Sequence, residues 1–428
     1  MRVPLGTAFL VVGLLFSSGA SANDADSEAY LELMALKMKA LIKQAEILEK
    51  QGKLDAARAK YAEAVAVFDG LERRPERVER LPFRPDVRKS IEMGLAWLVK
   101  HQDDDGRWDA DNFAKHDPNN DKSDGRGGTL YDVGVSGLAL LALMQARDPQ
   151  VHEASIERGL TFLFNQQDTE GCFGARSSQH FMYNTAIATA AMCEGFRRTK
   201  NLRWKKSATA GITFLLQARN PYLAWRYEPR AGENDTSITG WCVEALRRAR
   251  RARLPIGAAD FDAAIKGSLA WVDKMTDPNT GRTGYQRRGG PPARPEGKQN
   301  TFPAHRSESL TASGIVTKLT AGRGKNAPDI QSSLRLLLGR RPSKGVIGGI
   351  DLYYWYWATL ACRRVGGSVG RTWDDKALAT IASLQHKKGS GSRTGSWDPV
   401  GPWANDGGRV YSTALMVMAL QEPTGGGS

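Results

Sequence analysis

From Val87 onward apolar residues recur on a helical period. Ile91, Gly94, Leu95 and Leu98 fall at i, i+3, i+4 and i+7, one stripe of an amphipathic helix. That run ends in Gln102, and a short loop leads to Gly106-Arg-Trp108. The same order returns as Gly159-Leu-Thr-Phe-Leu…Gln167…Gly171-Cys-Phe173 and as Gly211-Ile-Thr-Phe-Leu…Gln217…Trp225. Looser copies are Gly267…Trp271…Gly284-Tyr285 and Leu378…Gln385…Gly395-Ser-Trp397. Recurrence of one supersecondary phrase marks a repeat architecture. Between the copies lie runs of a second kind, rich in small residues and apolar nearly all round, which predicts helices covered on every side. They begin at Tyr131, Tyr183, Asp235, Glu308, Asp351 and Val410.

Each covered run has an amphipathic partner before it, beginning near Arg88, Glu153, Trp204, Phe261, Ala327 and Trp373. Six amphipathic outer helices alternating with six buried inner ones close into two concentric layers. The pattern therefore predicts an all-α fold, a single (α/α)6 toroid over residues 87–421. The interval before Glu308 is the longest because of the Pro- and Gly-rich loop Arg287–Pro303, and loops of that length often carry function. A second Gly/Ser/Trp-rich loop, Gly389–Gly408, precedes the last inner helix.

Upstream, Leu31, Met34, Met38, Leu41, Ala45 and Leu48 keep helical spacing; Gly52 breaks the run and Leu54 restarts it. With Ala57, Tyr61 and Ala64, residues 23–70 resemble one tetratricopeptide helix-turn-helix unit, which cannot bury its own face without a neighbour. Residues 71–86, charged and broken by prolines, read as a linker, and 422–428 as a flexible tail. Arg2, the apolar run Leu5–Phe16 and Ala20-Ser21-Ala22 read as a signal peptide over 1–22. That run falls short of the roughly 20 apolar residues a membrane span needs. The expectation is export to the periplasm or the extracellular space.

The formal charge of the 428-residue chain is +14, which favours an anionic partner or surface. No helix-turn-helix, zinc-finger or aromatic-interleaved basic pattern points to nucleic acid. The four cysteines, Cys172, Cys193, Cys242 and Cys362, show no metal-ligand spacing and three sit in apolar helical runs, where a thiol acts as a small hydrophobe. No metal or cofactor is expected. Asp117–Gly125 alternates oxygen ligands but lacks the Gly and Glu of an EF-hand, and reads as a solvated loop.

The Gln…Gly…aromatic phrases resemble the QW repeats of squalene and oxidosqualene cyclases. Their toroid is shared by protein prenyltransferase β subunits and complement-type thioester domains. The ending Gly395-Ser-Trp-Asp-Pro399…Gly407-Gly-Arg-Val-Tyr-Ser-Thr-Ala414 is similar to exported bacterial prenyltransferase/squalene oxidase repeat proteins. Where the cyclases carry a DxDD proton donor, this chain has Gly232-Glu233-Asn234-Asp235, with an amide in the donor's place. Where prenyltransferases carry a zinc-binding His after Tyr, it has Tyr411-Ser412, and Gly171-Cys-Phe-Gly-Ala175 lacks the Glu and Gln of a thioester motif. The resemblance thus implies the ring without the signature chemistry.

Candidate chemistry lies at the inner-helix starts: Asp132, Asn184, Asp235, Glu308 and Asp351, with Glu233 just before Asp235. Asp and Asn there cap orphan N–H groups; the functional alternative is acid/base work on a glycan by Asp235, Glu233, Glu308, Asp351 and Asp132. Trp241, Tyr353, Trp355 and Tyr411, with His180 and His305 just upstream of two helix starts, are expected to line a ligand cavity. At the opposite ends Arg247, Arg248, Arg250 and Arg251 form a basic cluster denser than helix-end preference explains, which predicts an anion-binding rim. Two functions follow. One is an exported scaffold that binds a protein, glycan or lipid partner, with peripheral membrane contact possible through the rim. The other is a divergent terpenoid-cyclase-like or glycan-active enzyme.

Overall fold

The computed structural model describes residues 25–72, 84–178, 180–344 and 348–421. The expected signal peptide, the tail and most of the linker lie outside these described residues. The chain divides into two compact units that part near Glu76.

The first unit is a two-helix hairpin, α1 (Ala25–Lys50) packed along α2 (Leu54–Glu72). Gly52 turns the chain at φ 74°, and the N–H groups of Gly52 and Lys53 reach back to the carbonyls of Glu49 and Leu48. These bonds satisfy carbonyls that the end of α1 would otherwise leave orphaned. Ala45, Ala57 and Ala64 are buried, whereas Leu36, Ile47 and Leu54 stay exposed.

The second unit holds twelve α-helices, and no β-strand occurs among the described residues. The outer layer is α3 (Pro85–Lys100), α5 (Glu153–Asn165), α7 (Leu202–Ala218), α9 (Ala258–Met275), α11 (Pro328–Gly339) and α13 (Gly367–Ser383). The inner layer is α4 (Asp132–Met144), α6 (Phe181–Thr199), α8 (Thr236–Ala252), α10 (Ser309–Thr320), α12 (Leu352–Val365) and α14 (Ala404–Gln421). Each inner helix packs on the next, and α14 returns to α4, so the ring is closed. The two helix types differ as the pattern predicts. Every residue of α4 is buried, while α3 buries one face built on Val87, Ile91, Leu95 and Leu98.

The repeated phrase is a fastening of fixed geometry. Gln102 Nε2 donates to its own loop at Gly106 O (2.9 Å) and to Ser155 O at the start of the next outer helix (2.9 Å). Gln167 Nε2 does the same with Gly171 O (3.1 Å) and Ser207 O (3.0 Å). Gln385 Nε2 does so with Gly395 O (2.8 Å) and Ser90 O (2.7 Å), which joins the last pair to the first across 295 residues. The tryptophan that ends the phrase sends its indole N–H back to its own outer helix: Trp108 to Leu98 O, Trp225 to Leu215 O, Trp397 to Ile381 O. Its backbone N–H donates to a hydroxyl on the inner helix that follows, Ser136, Thr239 or Thr413. All three indoles are buried, and a buried indole N–H needs such an acceptor.

The loop glycine is required at this approach. Gly106, Gly171 and Gly395 hold φ of 95°, 95° and 96°. A Cβ at each would stand 2.2–2.3 Å from a backbone oxygen of the neighbouring outer helix (Arg158, Ala210 and Met93).

Most of the Asp117–Gly125 loop is exposed, as expected of a solvated loop, but it is pinned to the body at Asp117 and Ser123. Asp117 is buried and accepts from Lys100 (2.9 Å), His101 (2.9 Å) and the Ser123 backbone (3.0 Å). Burial would raise its carboxyl, but these hydrogen bonds outweigh burial and hold it low. Asp121 accepts from the Ser392 backbone, and Asp124 pairs with the buried Arg409 at the kink of α14. The loop is thus a second clasp between first and last repeats. All four cysteines are free and buried. No described helix is long and apolar enough to cross a membrane.

Candidate functional site: an aromatic cavity at the mouth of the ring

The first two turns of all six inner helices meet at one end of the ring, where they surround a partly open cavity of about 120 Å³. Val135, Asn184, Trp241, Ser309, Tyr353 and Tyr411 each present one helix to it. Connecting loops add Tyr131, His180, Tyr227, Tyr285 and Trp403, and Asp406 enters from the first turn of α14. Below this level the ring is plugged. Trp357 packs edge-on against Trp241 at 5.0 Å, and Tyr356 stacks on Trp241 at 5.7 Å.

Most phenol hydroxyls at the mouth are already bonded. Tyr353 Oη meets Ser237 Oγ at 2.8 Å, Tyr227 and Tyr285 share a short hydroxyl–hydroxyl bond, and Tyr131 Oη meets His180 Nδ1 at 3.2 Å. The rings therefore offer the cavity mainly their faces and edges. His180 stacks near Tyr131 and stands edge-on to Tyr227 at 5.0 Å. Burial lowers its imidazole pKa, opposed by Asp406; burial raises the Asp406 carboxyl, opposed by His180. Burial, with help from Asp406, pushes the Tyr131 phenol up to about 12.

Of the six residues expected to line a cavity, Trp241, Tyr353, Tyr411 and His180 do so. Trp355 and His305 do not, and both are corrections. Trp355 is two residues beyond Tyr353 on α12, which turns it to the opposite face and into the core, 1% exposed. His305 lies exposed in a short 3₁₀ turn, Ala304–Arg306.

None of the five carboxylates singled out from sequence is among the lining residues. Asp351 Oδ1 caps the Tyr354 N–H at 3.0 Å, and its Oδ2 faces Arg294 at 3.5 Å. Glu308 is gripped by Arg282 at 2.5 Å, with Arg340 at 3.4 Å. Asp132 accepts from the Ala110 N–H at 2.9 Å, and burial pushes its carboxyl up to about 6. It lies close to Asp109 and Asp111, but Arg107 and Lys115 bridge this cluster. Glu233 is exposed beside Arg226 at 3.7 Å.

Asp235 is the unusual one. Its side chain is fully buried; Oδ1 caps α8 through the Ile238 N–H at 2.9 Å, and Oδ2 has no hydrogen bond. Arg226 Nη1 stands 3.9 Å away. Burial pushes the carboxyl from 3.8 up to about 7. A raised carboxyl contributes stability that is fully present below its unfolded value and is lost as pH climbs through about 7. Asp235→Asn keeps the cap and removes the buried charge. It is expected to stabilise the toroid by about 2 kcal/mol at pH 8 and to change little at pH 4. Urea unfolding at the two pH values checks this, and equal effects at both would refute it.

The basic cluster is a correction as well. Arg247 and Arg248 do not face outward as a rim. They are buried, with Arg247 Nη2 2.7 Å and Arg248 Nε 3.1 Å from the buried Glu244. Arg364 reaches the same carboxylate from α12 at 2.7 Å, and Glu194 on α6 holds Arg197 at 2.6 Å with Arg248 at 3.7 Å. Arg250, over the Phe261 ring at 5.4 Å, and Arg251 remain exposed. The inner-helix C-termini are thus joined by charge pairs between α6, α8 and α12.

Asp406, Tyr227, Tyr285 and Trp403 also line the cavity, and no motif or periodicity in the sequence says which residues between helices or at a helix start fold back over a mouth.

No protein-family model matches the chain, and no curated relative matches it. Solved structures match its fold. The GH76A alpha-1,6-mannanase from Salegentibacter sp. HEL1_6 aligns at a TM-score of 0.53 and 12% identity, over 78% of this chain and 98% of that one. A novel alpha-amylase from Clostridium perfringens aligns at 0.52 and 10%, over 78% and 97%. A variant of the type II terpene cyclase MstE from Scytonema, in complex with its product merosterolic acid A, aligns at 0.50 and 13%, over 78% and 96%. The likeness is one of fold: the squalene-cyclase-like toroid is shared with proteins of unlike chemistry, so it does not choose among them.

Proposed function

We propose that the protein is an exported binding protein whose toroid takes a small, largely apolar ligand into the aromatic cavity at its mouth. One observation carries the reading. The first turns of all six inner helices converge on an open space walled by ring faces, while the acids at four helix starts are engaged in caps and ion pairs. Concave, mostly apolar sites with few polar groups are the usual form of small-ligand pockets.

Trp241 and Trp403 line the cavity, so ligand entry should change tryptophan fluorescence. A panel of isoprenoid alcohols, oligosaccharides and small organic cations is expected to include a saturable binder. Ala293→Trp, which places a bulky ring in the loop wall of the cavity, should weaken that binder more than tenfold. The reading fails if nothing in the panel binds, or if Ala293→Trp leaves binding unchanged.

A catalytic reading is favoured by Asp406 and His180 facing the same cavity with pKa values displaced toward each other. Two-carboxylate glycoside hydrolysis fits less well, since Asp406 is the one carboxylate among the lining residues. Product analysis of the same panel after incubation with the protein tests this reading.

A further inference from the structure

We infer that the ligand of the mouth cavity is an organic cation of the quaternary-ammonium class, held against the tyrosine and tryptophan faces with Asp406 as its counter-charge. The inference rests on the binding reading above and adds the chemical class of the ligand.

Its first support is the sign of the walls. Aromatic faces carry the negative side of the ring quadrupole, and cages of such faces attract cations that shed water easily. Tyr183, Tyr227, Trp241, Tyr285, Tyr353 and Tyr411 supply rings from four inner helices and two loops. Three of these six have hydroxyls spent on one another or on Ser237. Ring surface is therefore the main thing the walls offer.

The second support is Asp406. Other acids near the helix starts are compensated by a cap or a cation: Asp132 by the Ala110 N–H, Asp235 by the Ile238 N–H, Glu308 by Arg282, Asp351 by the Tyr354 N–H. No hydrogen bond or ion pair holds the Asp406 carboxylate among the described residues; the His180 imidazole acts on it electrostatically, and the Tyr131 and Tyr411 phenols feel its charge. No Lys or Arg lines the cavity, although the chain carries a formal charge of +14. A half-buried, unpaired carboxylate facing ring surfaces lacks one partner, and a cation supplies it.

Two features act against a cation. Helix N-termini are positive, but that effect fades within a turn, and acids already stand at the starts of α4, α8, α10 and α12. Arg226 stacks on Tyr227 at 4.6 Å and Tyr285 at 5.7 Å, but it is not a lining residue and it faces Asp235 and Glu233.

The decisive comparison uses the full chain. Choline and its uncharged isostere 3,3-dimethylbutan-1-ol are titrated separately against tryptophan fluorescence at pH 7.5. Choline is expected to bind at least tenfold more tightly. Asp406→Asn should remove about tenfold of choline affinity and leave the alcohol unchanged. If the alcohol binds as tightly as choline and Ala293→Trp blocks both, the cation inference is overturned while the binding reading stands. If neither binds, nor any other member of the panel, both fall. A further arm locates the source of the group. Co-sedimentation with phosphatidylcholine vesicles that free choline competes away assigns a lipid headgroup; choline binding without co-sedimentation assigns a free small molecule.

Discussion

Glu244→Gln is expected to destabilise the toroid by about 3–5 kcal/mol, because it leaves guanidinium groups buried without their counter-charge. Glu244 is 1% exposed and receives Arg247 and Arg248 from its own helix and Arg364 from α12. Burial alone would raise its carboxyl, but Arg247, Arg364 and Arg248 outweigh that and hold it well below the ordinary range. The large loss comes from removing one partner only; exchanging a whole buried charge cluster for apolar residues of like volume can be close to neutral. Urea unfolding followed by tryptophan fluorescence measures the change. A loss under about 1 kcal/mol would mean that water reaches these arginines and screens them.

The second large effect is expected at Gly395→Ala. The residue holds φ 96°, and an added Cβ would lie 2.3 Å from Met93 O on α3. Backbone strain of about 1–3 kcal/mol and a steric term of similar size act together, so the loss is about 3 kcal/mol or more. The same substitution at Gly232, also at positive φ but with nothing within 4 Å, carries the strain alone. Comparing the two unfolding midpoints isolates the contact, and equal losses would show that the approach to Met93 relaxes freely.

The architecture was readable because its signals are local. Stripe, Gln, loop glycine and aromatic all lie within one outer helix and the loop after it, and the fastening they form is the same in each copy that keeps all four. The placement of α5 at Glu153–Asn165, for instance, follows from its own apolar spacing. The site was less legible because its chemistry is settled by residues far apart in sequence. Whether Glu308 is a free acid depends on Arg282, 26 residues away, and Asp351 depends on Arg294, 57 away. The density of arginines at the end of α8 predicts a basic rim, but Glu194 and Glu244 lie on the buried sides of α6 and α8 and draw Arg247 and Arg248 inward. Trp355 and Tyr353 belong to one aromatic run, and only the rotation of α12 separates a core ring from a wall ring. Asp406 carries no motif; it matters because its place in the first turn of α14 leaves its carboxylate unpaired.

The bond from Gln385 to Ser90 has the same form as the bond from Gln102 to Ser155, yet it closes 295 residues of chain where the other closes 53. In the unfolded ensemble the longer closure is less favourable by about 1.5 kcal/mol in conformational entropy, and contacts of such separation slow folding. The neighbouring fastenings can form as each helix pair becomes available, whereas the last must wait until both ends of the arc exist. Before that step the faces of α4 and α14 that meet in the closed ring are open to water and to other chains. The final join is therefore the moment in the protein's assembly when exchange of repeats between two molecules competes with closure of one.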